Sequence, residues 1–226
     1  MKAKWGSFVV DGRGKINGHV ASKNRSGAYF RTKVTPTNPQ TAAQSDARSR
    51  LAQFSQAWSG LNDGARIAWN AAVTSWMTNN IFGDGVMPSG KNLYTRLNAN
   101  LDLVGAASLN VPPLPIATTS ADISNMIADV SANLIQFDFA NADAGQELVI
   151  EATAPQTPGT YNASGRFRVI STQTQDPAGT INVWSEYVAK FGGPVAGQKV
   201  FIRVKSIVAS TGQNTPYMTL SAIVVP

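Results

Sequence analysis

The 226-residue sequence contains no cysteine and a single histidine. Disulfides, thiolate metal sites and a cysteine nucleophile are thereby excluded, and side-chain redox chemistry is left to methionine alone. No apolar run approaches the roughly eighteen residues of a membrane span. The opening residues, MKAKWGSFVVDGRGK, carry lysines without an apolar stretch of signal-peptide length. The expectation is a protein made and kept in a cytoplasm, with no membrane partner. Carboxylates are few, thirteen in all, and scattered singly, so no pair able to share acid–base work stands out. DGR, GDG and TQD read as turn chemistry. GDGV at 83–86 lacks the further oxygen ligands of a calcium loop, and DGRGKINGH lacks the Gly-Lys-Ser/Thr of a phosphate loop. His19, in KINGHVA, has no second His or Cys to complete a metal set and no Ser/Asp partner at a telling spacing, which leaves it a structural or surface role. No catalytic, cofactor-binding or metal residue is nominated, and the expectation is a protein that is not an enzyme and uses no cofactor.

What the chain does contain is enough apolar content, 43%, for real cores, and a formal charge of +6 that is unevenly placed. Residues 1–50 hold ten Lys/Arg against Asp11 and Asp46, a net +8, while the remainder holds nine basic and eleven acidic side chains, a net −2. A basic arm on a near-neutral body is the pattern this predicts, and such an arm meets something acidic.

Residues 1–38 are rich in Gly, Ser and Asn, with short strand-like pieces WGSFVV, KINGHVA and AYFRTKV. Tyr29, Arg31 and Lys33 alternate with Phe30, Thr32 and Val34, as in a strand with one charged face. Few apolar residues are available for an independent core, so this segment is expected to become ordered on another surface. Pro36 and Pro39 stop the strand. Thr41-Ala-Ala-Gln44 then fits a capping box, followed by Ala43, Ala47, Leu51, Phe54, Trp58 and Leu61 on one helix face as far as Gly60. Asn62 or Asp63 caps a second helix with Ala65, Trp69, Ala72, Val73 and Trp76 on its stripe, making a helical hairpin. Trp58, Trp69 and Trp76 are therefore core residues rather than a stacking platform. After the loop NNIFGDGVMPSG a third helix starts near Ser89, with Leu93, Leu97, Leu101 and Val104 inward and Gly105 as its stop.

VPPLP at 111–115 reads as a Pro-rich linker and domain boundary. From about residue 116 the period becomes two: LIQFDFA, ELVIEATA, RFRVIST, INVWSEYVAKF, KVFIRVKSIV and MTLSAIVV recur with turn residues between them and no helical pattern. The predicted class is α+β: an extended β arm at 1–38, a small helical unit at 39–110, and an antiparallel β-sandwich at 116–226. GQKVFIRVKSIVASTGQNTPYMTL resembles the last hairpin of fibronectin type III-like domains, with Phe201 where many of them have tyrosine. Trp184 and Tyr187 are open to two readings, core residues or a half-exposed aromatic pair that holds a sugar.

GHVASKNRSGAYFRTKVTPTNPQTAAQ, then ARSRLAQFSQAWSGL, RIAWNAA and GKNLYTRLNANL, resemble a family of poorly characterised phage and prophage proteins. That family is similar in an Arg-x-Lys-Val-x-Pro-x-Asn-Pro-Gln-Thr leader, a Ser-Gln-Ala-Trp helix, an Arg-x-Ala-Trp-Asn helix and a Gly-x-Asn-x-Tyr/Phe helix before a β-domain. The resemblance covers the first hundred or so residues, and the β-domain only in general shape. It implies a virion structural protein of a tailed bacteriophage, synthesised in the bacterial cytoplasm and present in the particle as a head decoration, head–tail connector or tail component. Partners would be capsid, connector or tail subunits, and further copies of the chain in a symmetric assembly. Two other classes stand beside it: a carbohydrate- or host-surface-binding module using Trp184 and Tyr187, and a DNA-binding packaging protein using the basic arm. For the arm itself, Trp5, Phe8, Tyr29 and Phe30 are the expected anchors and Arg31 and Lys33 the steering charges.

Overall fold

The computed structural model describes residues 2–3, 12–25, 27–79, 82–140, 145–174 and 179–226. It divides into two units, 1–45 and 46–226. In the first, β1 (Lys2–Ala3), β2 (Gly14–Ile16), β3 (His19–Asn24) and β4 (Gly27–Thr32) form one antiparallel sheet in the order β1-β4-β3-β2. Asn17, at φ +50, and Gly18 make the two-residue turn between β2 and β3. The Lys33 amide donates to Gly18 O at 2.8 Å, one step beyond β4. From there to Thr41 the chain has no regular structure and is exposed, in keeping with the breaks that Pro36 and Pro39 impose.

The helices begin where the sequence signals place them. α1 (Ala42–Gly60) is capped by Thr41, whose Oγ1 accepts from the Gln44 amide at 3.4 Å. α2 (Asp63–Ala72) is capped by Asn62, which accepts from the Ala65 amide at 2.7 Å, and α3 (Gly90–Leu103) by Ser89, which accepts from the Asn92 amide at 3.2 Å. Gly105, at φ +72, ends α3 as a left-handed C-cap residue. Two details differ from the periodicity reading. Trp76 lies in a 3-10 turn, Val73–Trp76, beyond α2, and the following loop contains a small hairpin, β5 (Thr78–Asn79) with β6 (Gly85–Val86). The stripe of α1 is also only half used. Phe54 is buried and Trp58 and Leu61 pack on the same cluster, but residues 42–49 are all exposed and Leu51 is 60% exposed.

Phe54, Trp69, Trp76, Leu93, Tyr94 and Leu97 make the helical core, with Trp69 edge-on to Tyr94 at 5.3 Å between ring centroids. Both buried indoles point their N–H at the segment that follows. Trp69 Nε1 donates to Asn110 O at 2.9 Å and Trp76 Nε1 to Pro113 O at 3.2 Å, while buried Asn98 exchanges hydrogen bonds with both backbone groups of Leu109. The Pro-rich stretch is thus a strap held by side chains, since its prolines offer carbonyls but no N–H groups.

Beyond the strap, β7 (Ile123–Asp129), β8 (Leu134–Phe139) and β11 (Gly179–Asn182) form a three-stranded sheet in the order β11-β8-β7. β9 (Gln146–Ala152), β10 (Arg168–Thr174), β12 (Lys199–Val208) and β13 (Met218–Ile223) form a four-stranded one in the order β10-β9-β12-β13. All pairings in both are antiparallel. The chain is mixed helix and antiparallel sheet, the α+β class. Inward residues of both sheets, among them Phe137, Phe139, Leu148, Ile150, Ile202 and Val204, share one core. β7 escapes a period-two reading because its register shifts between Ser124 and Ile127, where Asn125 has φ +51.

INVWSEYVAKF corrects the expectation of strands without helix. Only its start is β11; Trp184–Phe191 is a helix, α4, whose Tyr187 side chain is fully buried. Read at period 3.6, Trp184, Tyr187, Val188 and Phe191 share one face of that segment, a signal that alternation alone hides.

The β-rich part meets α3 through the turn after β12. Gly212 sits so close that a Cβ there would lie 2.4 Å from Leu97 O, Asn100 Nδ2 donates to Gly212 O at 2.8 Å, and Gln213 hydrogen-bonds both backbone groups of Ile116. A fragment of residues 116–226 is expected to melt cooperatively, because its main core lies wholly within 121–224. It should melt at a lower temperature than a 46–226 fragment, which keeps the seat of Gly212. Equal melting temperatures by circular dichroism would show those contacts to be energetically idle.

Candidate assembly surface

Cross-strand register sorts the arm sheet into two faces. Lys15, Val20 and Arg31 are mutual partners across β2, β3 and β4, and Ser22 and Tyr29 continue that face. Ile16, His19 and Thr32 occupy the other, with Ala21 and Phe30 beside them. Strand β4 therefore has the expected alternation, with Tyr29 and Arg31 on one side and Phe30 and Thr32 on the other. Lys15, Arg31 and Lys33 are exposed, and Tyr29 and Phe30 are half-buried. Trp5 and Phe8, the other expected anchors, lie outside the described residues.

Two concavities lie on the arm sheet, with Arg31 lining both. Lys15, Arg31 and Lys33 line a hollow of about 270 Å³ together with Val20, Val34 and Pro36. Ile16, His19, Phe30, Arg31 and Thr32 line a wider one of about 430 Å³. The first combines three cations with apolar Val20, Val34 and Pro36, suited to an acidic surface that brings some apolar contact of its own. Among the described residues of this unit only Ala21 is buried, so the described part of the sheet lacks the two-layer core that normally holds strands together. His19 is exposed at the start of β3 with Thr32 and Ile16 as neighbours, and no group of three potential metal ligands occurs among the described residues.

The aromatic pair on the body separates into two situations. Tyr187 is fully buried, and its hydroxyl donates to Thr153 O at 2.9 Å; burial pushes its pKa well above the ordinary tyrosine value. It cannot present a surface to a sugar, because α4 turns it inward onto the sheet core. Trp184 is half-buried and packs on that same core. Phe201, which stands where the resembled domains often carry tyrosine, is itself buried; a buried tyrosine hydroxyl of this body, that of Tyr187, comes from α4.

One charged cluster on the body has no sequence signature. Arg203 on β12 donates to Glu151 Oε2 at 2.6 and 2.8 Å and lies between the rings of Phe167 and Tyr217, 4.3 and 4.1 Å from their centroids. Tyr217 donates to Glu151 Oε1 at 2.8 Å. Burial, then the hydrogen bond to Glu151, pushes the Tyr217 hydroxyl up to about 12. Burial also pulls the neighbouring Lys205 ammonium down, against the pull of Glu151. Both carboxylate oxygens of Glu151 are already engaged, by Arg203 and by Tyr217, which makes the set a clamp between strands rather than a binding site. Its members come from three stretches, around 151, 167 and 203–217, and only the pairing of β9 with β12 brings Glu151 opposite Arg203.

Comparison of the chain with protein-family models, with curated proteins and with solved structures yields no match.

Proposed function

We propose that this is a non-enzymatic structural protein of a tailed-phage virion, assembled through its N-terminal arm and displaying an immunoglobulin- or fibronectin type III-like sandwich. The observation that carries the reading is the arm: a basic sheet with one buried side chain among its described residues, which is stable only when something outside it covers a face. The bare first half of α1, with Ala43, Ala47 and Leu51 uncovered on its apolar stripe, supports the same conclusion. The strand orders β11-β8-β7 and β10-β9-β12-β13 support the sandwich, being the E-B-A and C′-C-F-G orders of a fibronectin type III domain. The leader and helix motifs that resemble phage and prophage proteins supply the virion context. A head decoration, a connector or a tail component all fit these properties.

The test is electron microscopy of purified particles labelled with an antibody raised against residues 116–226. Labels at a fixed, repeated position are expected. Particles free of label, with the protein left in the lysate, would refute the virion reading.

A further inference from the structure

Charge is separated in this chain more sharply than its net value suggests. Residues 97–165 contain no lysine or arginine and seven carboxylates, against the +8 of residues 1–50. That stretch supplies β7 and β8, and β11 adds no charge, so the whole β11-β8-β7 sheet lacks a cation. Register gives its outward face: Ser124 and Thr180 flank Asp138, and Ile127 and Asn182 flank Gln136. Asp122 is exposed just before this sheet. Hydrogen bonds from Asn125 and Thr180 hold the Asp138 carboxyl below its usual range, so it stays charged. The arm offers the complement. Lys15, Arg31 and Lys33 make no ion pair among the described residues, and Val20, Val34 and Pro36 line the same hollow.

We propose that the cationic face of the arm sheet docks on the outward face of the β11-β8-β7 sheet of a second copy, joining copies head to tail. The inference rests on the arm-mediated assembly proposed above and names the arm's partner. Charge complementarity selects this face, because the four-stranded sheet carries Arg168, Lys199, Arg203 and Lys205 against only Glu147 and Glu151, a net positive charge unfavourable to the arm. Val20 and Val34 find an apolar counterpart in Ile127, which is 46% exposed. A phosphate backbone would leave those apolar side chains unmatched, which favours a protein occupant over nucleic acid. Since the two surfaces differ, the contact is heterologous and propagates into a ring or a row.

The test is sedimentation velocity of the full chain over a concentration series at two salt concentrations. Wild type should gain mass with concentration, less so at high salt. Arg31→Glu/Lys33→Glu and Asp122→Lys/Gln136→Lys should each weaken association about tenfold or more. Gln136 is chosen so that the Asp138 hydrogen bonds survive, and thermal melts verify that each variant is folded. Mixing the two variants, or combining all four substitutions in one chain, should restore association, because every arm then meets a face of opposite charge. A wild type that stays monomeric throughout, equal association of all variants, or no rescue on mixing overturns the inference. If a monomeric wild type enters particles and the arm-reversed variant does not, the assembly reading survives and the occupant is a different virion protein. Salt-sensitive binding of a DNA duplex, lost on arm reversal, while the chain stays monomeric would likewise overturn it in favour of nucleic acid.

Discussion

A chain lacking residues 1–34 is expected to fold normally and to be absent from particles. Both clusters that hold the larger unit lie within residues 54–224, so nothing they need is removed, and its melting transition should match that of the full chain. The arm, by contrast, brings eight of the ten basic residues of the first fifty and the Tyr29 and Arg31 face. Incorporation into particles, followed by immunoblot, should fall to background. Finer substitutions separate steering from anchoring. Phe8→Ala/Tyr29→Ala should reduce incorporation more than Arg31→Ala/Lys33→Ala at moderate salt, and only the loss caused by the second pair of substitutions should shrink markedly as salt is raised, because charge governs encounter and buried aromatic area governs retention. The opposite order, with steep loss on adding salt, is the signature of a nucleic-acid partner. Full incorporation of the truncated chain would end the arm hypothesis.

Gly212→Ala is the point substitution expected to harm the fold most for its size. Gly212 has φ +72, and a Cβ there would meet Leu97 O at 2.4 Å and Leu101 Cγ at 3.1 Å. The first of these is helix backbone and cannot move aside without shifting α3. A built-in control exists in Gly105, which has the same φ of +72 but nothing within 4 Å of its would-be Cβ. Gly105→Ala should cost only the left-handed strain, about 1 kcal/mol. Gly212→Ala should cost that plus the displacement of α3 from the β12–β13 turn, together about 3 kcal/mol, or roughly 6–12 °C in melting temperature for a unit of this size. Equal losses for the two would mean that α3 yields freely at this contact.

Local signals in this sequence are strong wherever a single residue type decides a backbone state. Thr41, Asn62 and Ser89 cap the helices from which they were read, because a short oxygen-bearing side chain before an apolar stripe has few better uses. Trp69 and Trp76 fall in the core because no other arrangement hides so much apolar area. The alternation of β4 survives in its cross-strand register and that of β8 in alternating burial, since side chains of a strand must point to opposite faces, whereas β9 and most of β12 are buried on both faces.

Other features were decided only by tertiary contact. VPPLP looks like a free linker until Trp69 and Trp76 are seen to donate to the segment, and those donors lie 41 and 37 residues away in sequence. Tyr187 stood open between a core and a surface reading, and the packing of α4 on the sheets put it in the core. Glu151, Arg203 and Tyr217 are unremarkable in sequence and become one clamp through β9–β12 pairing. Ala43, Ala47 and Leu51 show the opposite case: a clean apolar stripe that the described residues leave uncovered. Composition alone placed the basic residues in the first fifty positions, whereas strand register determined that Lys15 and Arg31 share a face with Val20 and that no cation lies on the β11-β8-β7 sheet. A charge count is a property of the chain, but a surface exists only once distant strands have been laid side by side.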